Sequence, residues 1–146
     1  MGRPNNNRDA RPTIDCDFDA IIGEDNVDAL VKAAHAIGKA IAGRVTSSQI
    51  RGIFATVRQI QLKWVESGSE TTQREVYRQA MMLKPQIHYA AARNGDRIAP
   101  LDEYLVGALN KVGEGNPDPK VRRERFMRFV DFFEAIVAYH KYEGGR

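Results

Sequence analysis

The chain has 146 residues, 42% hydrophobic and 28% charged, with a formal net charge of +3. That suffices for one domain with its own core, burying roughly 68–70% of the surface an unfolded chain of this size exposes. A single cysteine, Cys16, excludes an internal disulfide. No apolar run approaches the ~18 residues of a membrane span, and no signal-peptide core is present, so the expectation is a cytoplasmic protein that does not engage a membrane.

Residues 1–12 (MGRPNNNRDARP) are polar, hold two prolines and show no periodicity, which predicts a disordered tail. Residues 13–23 alternate apolar and polar from Ile14 to Phe18. With no second strand in the sequence, an extended arm packed on the body or on a partner is favoured over a short strand. The expected organisation is therefore a flexible N-terminal arm over 1–23 and one helical domain over 24–146.

The first helix is predicted from about Asn26 to Ala42, capped by Asp25 or Asn26 and ended by Gly43. Val27, Leu30, Val31, Ala34, Ile37 and Ile41 form its stripe. The second opens with the T-x-x-Q capping box Thr46–Gln49, in which each side chain satisfies an orphan backbone N–H. Ile50, Ile53, Phe54, Val57, Ile60 and Trp64 are its buried side. A second capping box, Thr72–Glu75, predicts a helix through Leu83. Pro85 suits the first turn of a new helix better than the middle of an old one. That helix would carry Ile87, Tyr89, Ala90 and Ala91 and stop at Asn94-Gly95. Pro100 opens another through Val112. GEGNPDP (113–119) is a turn, and Gly113-Glu114-Gly115 within it reads as a helix terminus. The last helix runs from about Lys120 to Tyr142, with Phe126, Phe129, Phe133, Val137 and His140 on one face. Phe132 lies off that stripe and is expected to face a partner chain. The fold class is all-α, a bundle of five to six helices with a disordered or extended N-terminal arm.

Reactive chemistry finds little support. His35, His88 and His140 show no metal-ligand spacing, and no phosphate loop or nucleophile elbow is present. His88 and His140 read as packed or hydrogen-bonded histidines, with a general acid or base as the alternative. Asp15, Cys16, Asp17 and Asp19 lack the central glycine and terminal glutamate of a calcium loop. The expectation is no catalytic residue, no metal and no cofactor.

Charge is the informative feature. Residues 1–30 carry a net −4 and residues 31–146 a net +7. Between Ala29 and Val65 stand Lys32, Lys39, Arg44, Arg51, Arg58 and Lys63, and no acid. Ordinary helix faces mix signs, because oppositely charged neighbours stabilise them. A face of one sign concentrates anions, nucleic acid above all. Arg51 and Arg58 are seven residues apart, roughly 100–120° from the centre of the buried stripe. Arg44 lies in line with them by the same spacing. Lys84, Arg93 and Arg97 surround the Pro85 helix. Lys120, Arg122, Arg123, Arg125 and Arg128 crowd the last helix, partly answered by Glu124 and Asp131.

Three segments together, TSSQIRGIFATVRQIQ (46–61), LKPQIHYAAARN (83–94) and FVDFFEAIVAYHKYEGG (129–145), resemble the small subunit of type III-A CRISPR effector complexes, the Csm complex. The likeness covers about residues 24–145. It implies a helical bundle that stacks head to tail in several copies beside other Csm subunits. These copies line the channel where guide RNA pairs with target RNA and contact mainly the target-strand backbone. Cutting and signalling would belong to other subunits. Arg44, Arg51 and Arg58 are the expected phosphate-contacting row, with Lys84 and Arg93 next. For Arg93 a structural role at the last carbonyls of its helix competes, and Lys141 reads as structural or as a subunit contact. Two other classes remain: an adaptor whose basic face docks an acidic protein, and a small enzyme acting through His88 or His140.

Overall fold

The computed structural model describes residues 14–95 and 98–146. Regular structure among them is helical throughout: one π-helical turn (Asp19–Gly23), α1 (Val27–Ile41), α2 (Ser47–Lys63), α3 (Glu70–Arg93), α4 (Leu101–Asn110) and α5 (Pro119–Tyr142). The all-α class expected from periodicity is what forms. The tail expected over 1–12 lies outside the described residues.

Local chemistry sets most helix starts. Asn26, of the two candidates, caps α1 by accepting from the Ala29 N–H at 3.0 Å. Both arms of the Thr46–Gln49 box form, at 2.9 and 3.1 Å. Asp118 caps α5 and Pro119 fills its first position. The start of α3 differs from expectation. Ser69 Oγ accepts from the Thr72 N–H at 3.1 Å, so the helix begins at Glu70 and Thr72 is already inside it.

Pro85 does not divide α3 either. Val76, Ala80, Leu83, Ile87 and Ala91 are all buried and continue through it at helical spacing. Pro85 itself is exposed, so the carbonyl left without its N–H partner lies on the water side, while the tertiary contacts of the opposite face hold one 24-residue helix together.

The long α5 is the spine. α1 runs beside it in the same direction, with Asp25 near Arg128 at one end and His35 stacked on Tyr139 at 4.3 Å at the other. α2 lies antiparallel to it, with Phe54 against Phe133 (5.1 Å) and Trp64 against Phe126 (5.2 Å). Trp64, at the end of α2, is buried, and its indole N–H donates to Gln73 Oε1 at 2.7 Å. Buried His140 donates to the Val45 carbonyl at 2.6 Å.

Three expectations about packing are corrected. Phe132 is fully buried, not turned to a partner, because the ring of Phe18 covers it edge-on at 6.5 Å. Residues 14–22 pack on the body, as favoured, but as part of the core and not as a flexible arm: Ile21 and Ile22 are fully buried, and Ile14, Cys16 and Phe18 pack on the core. Alternation from Ile14 to Phe18 reflected this packing rather than a strand. Val27 and Val31 are 59% and 41% exposed. The buried side of α1 is Leu30, Ala33, Ala34, Ile37, Gly38 and Ile41, with Gly38 against Tyr139 of α5, and the valines lie at its rim.

Two contacts hold the layers in register. A Cβ on Gly38 would lie 2.6 Å from Tyr139 Cβ and 2.8 Å from the His140 nitrogen, so only glycine admits this approach of α1 to α5. Arg128 donates to the Ile22 and Gly23 carbonyls at 2.9 and 3.2 Å, closing the end of the π-helical turn. Gly38→Ala should therefore cost about 1–3 kcal/mol by overpacking against backbone. Arg128→Ala should cost about 1–2 kcal/mol, the loss of two charge-assisted bonds at a partly exposed site. Urea denaturation of both variants against the parent checks these values.

Candidate nucleic-acid interface

α2 is a helix with one buried side and an unopposed positive remainder. Ile50, Val57 and Ile60 face the core, and Ile53 and Phe54 are half-buried beside them. Arg51 and Arg58 are exposed and lie on the flank away from α3. Arg51 has no carboxylate partner among the described residues. Arg58 donates to Gln61 Oε1 at 2.8 Å, a neutral acceptor that leaves its charge uncompensated. Leu62, 70% exposed, sits one turn beyond Arg58 on the same flank.

The other expected residues do not join this flank in one row. Arg44 is exposed but lies in the turn between α1 and α2. The helix starts only after the Thr46 cap, so seven-residue spacing does not carry Arg44 onto the α2 face. Lys84 is half-buried and exposed Arg93 ends α3. Nine residues of helix turn these two to opposite sides, with Lys84 on the side of α4. The carbonyls at that terminus are satisfied by Asn94 rather than Arg93: Asn94 Nδ2 donates to the Ala90 carbonyl at 2.6 Å, and its oxygen accepts from Gln49 at 3.1 Å.

The four arginines of the α5 cluster are engaged within the fold, while Lys120 is exposed. Arg122 stacks over Tyr77 at 4.1 Å. Arg123 donates to the Trp64 carbonyl at 2.9 Å, and Arg125 to the Lys111 and Glu114 carbonyls at 3.1 and 2.9 Å. Arg128 closes the N-terminal turn, as described above. Lys111, which bridges Asp19 and Glu114 at 2.8 Å each, is held protonated above its ordinary range by those two hydrogen bonds. On the outer face of α5, burial, then the nearby carboxylates of Glu134 and Asp25, push the Asp131 carboxyl up.

A feature not anticipated from the sequence lies on the other flank of α2. A groove of about 400 Å³ runs between α2 and α3, lined by Thr56, Gln59, Lys63, Arg78, Gln79 and Gln86 among others. Beside it α3 exposes Met82 (49%) and Tyr89 (67%). The legible signal was the spacing Arg78, Met82, Tyr89, Arg93, which places all four on one side of a continuous helix. Splitting α3 at Pro85 hides it.

The titratable groups considered for catalysis have structural partners. His88 Nδ1 donates to Asp102 Oδ2 at 3.0 Å, joining α3 to α4. His35 donates to Glu143 at 2.8 Å. Among the described residues no three His, Cys, Asp or Glu side chains form a metal-holding group, and no helix is long and apolar enough to cross a membrane. Cys16 is pushed up to about 12 by burial and then by the charges of Asp15 and Asp17. The thiolate is the reactive form, so in the folded protein at pH 8 Cys16 should react with a disulfide reagent at least about a hundredfold more slowly than after denaturation. A time course of thiol titration measures this.

The profile of the family Csm2 Type III-A matches residues 24–146. No curated protein and no solved structure matches the chain. The family match spans α1 to α5 and the Arg51–Arg58 flank, and it carries the resemblance seen in three segments across the whole helical body. The chain belongs to the Csm2 family and is a subunit of the type III-A CRISPR effector, the Csm complex.

Proposed function

We propose that this subunit is a non-catalytic scaffold that holds RNA by its backbone inside the Csm complex, in the cytoplasm. The observation that carries this reading is the contrast between two sets of cations. The four arginines of α5, Arg122, Arg123, Arg125 and Arg128, are bonded to carbonyls, a ring and carboxylates of the fold. Arg51 and Arg58 stand exposed on a helix whose surrounding 35 residues, 30–64, contain no acid. Two guanidinium groups about 10.5 Å apart along the axis suit successive contacts to a sugar–phosphate strand. Such contacts position a strand without reading its bases. In this reading the target strand of the guide–target duplex is the ligand, and several copies associate head to tail so that their flanks follow it. Arg44, Lys84 and Arg93 extend the positive field around this pair rather than completing one row.

Exposed Leu62 beside Arg58 favours one alternative, an adaptor that docks an acidic protein through an apolar anchor. The two readings separate in one experiment. With RNA as the probe, Arg51→Ala/Arg58→Ala should weaken binding to a similar degree for unrelated sequences and lower the slope of log affinity against log salt by about 1.4–1.8, two phosphates' worth. An unchanged slope, together with failed assembly of the complex, would replace the RNA flank with the protein-docking one.

A further inference from the structure

We infer that Tyr89, with Met82, Arg78 and Arg93 on the same side of α3, forms a stacking platform for an unpaired RNA base, distinct from the backbone-gripping flank of α2. The inference rests on the RNA-binding reading above and adds to it a site for a base.

Tyr89 is 67% exposed, and among the described residues its ring has neither an aromatic partner nor a hydrogen bond. The fold therefore gains nothing visible from this ring. Its neighbours one helical turn away are Pro85 and Gln86 before it and Ala92 and Arg93 after it, all exposed. Proline and alanine are short, so the ring face stays open to a planar ligand. Met82, two turns back and 49% exposed, extends the apolar surface.

The surrounding charge selects the occupant. From Arg78 to Arg93 α3 contains no acid. Arg78 and Arg93 are exposed and have no carboxylate partner among the described residues. Across the groove Gln59 offers amide donors and acceptors, and Lys63 lies at the end that also holds Glu75. Glu75 is the one carboxylate lining that groove among the described residues, and it lies at the end away from Tyr89. An open ring between guanidinium groups suits a ligand with an exposed π-face and phosphates on either side. That is a single-stranded nucleic acid. A paired helix covers its base faces by its own stacking and offers only backbone and groove edges, so Tyr89 recognises unpaired nucleotides and the Arg51–Arg58 flank does not discriminate.

The test measures binding of the full chain by fluorescence anisotropy to two labelled RNAs of equal length, one unstructured and one fully paired. Tyr89→Ala should weaken binding to the unstructured RNA by roughly five- to a hundredfold and to the duplex by less than about twofold. Tyr89→Phe, which keeps the ring, should restore most of the loss. Arg51→Ala/Arg58→Ala should weaken both probes. Unchanged affinity of Tyr89→Ala for the unstructured RNA, or an equal loss on both probes, overturns the platform and leaves the backbone reading standing. A parent protein that binds neither RNA overturns both.

Discussion

The packing of α1, α2 and the N-terminal turn around α5 is the constraint on which the rest of this structure depends. Phe126, Phe129, Phe132, Phe133 and Ile136 are fully buried, and the side of α5 that carries them meets neighbours on several fronts at once. Aromatic rings interlock at centroid separations of 5.1–6.3 Å from Phe54 through Phe133, Phe129 and Phe126 to Trp64, and Phe18 meets Phe132 at 6.5 Å. Each pair adds a directional preference to the area it buries. Gly38 brings α1 close enough for its alanines to share this core.

That arrangement also decides which cations have work inside the fold. α5 begins beside the ends of three other elements, where carbonyls lack helical partners. Arg123, Arg125 and Arg128 reach those carbonyls at Trp64, Lys111, Glu114, Ile22 and Gly23. Their density in the sequence reflects a need for donors at helix ends. α2 has no such duty along its outer side. Its arginines leave the core at an angle where no carboxylate among the described residues pairs with them, and their charge faces outward. Two arginine-bearing stretches thus differ in role because of what lies within reach of each side chain.

For a subunit of an RNA-guided complex this division is economical in a physical sense. Under the proposed function, backbone contacts by Arg51 and Arg58 would tolerate any target sequence, with base pairing supplying the specificity. The helical body supplies rigidity, and its histidines serve it: His140 fixes the α1–α2 turn, His88 joins α3 to α4, and His35 ties α1 to the end of α5.

Much of this was legible in one dimension. Helical periodicity, the Thr46–Gln49 box, the buried faces of α2 and α5, and the acid-free stretch all follow from local spacing, because capping and amphipathicity operate over three to seven residues. The three family segments were legible for the same reason. What failed were judgements that need a neighbour. Pro85 lies inside α3 because the buried face continues past it. Phe132 is covered by Phe18, more than a hundred residues away. Val27 and Val31, on the stripe by spacing, are left at a rim by the way the helices pack. Arg44 leaves the row because a cap intervenes, and Lys84 and Arg93 diverge because a single helix rotates between them. The sequence by itself determined the class, the helices and the sign of the α2 surface. Only tertiary structure decided which arginines are engaged and which face outward, since a guanidinium's role is set by the acceptors that folding brings within about 3 Å of it.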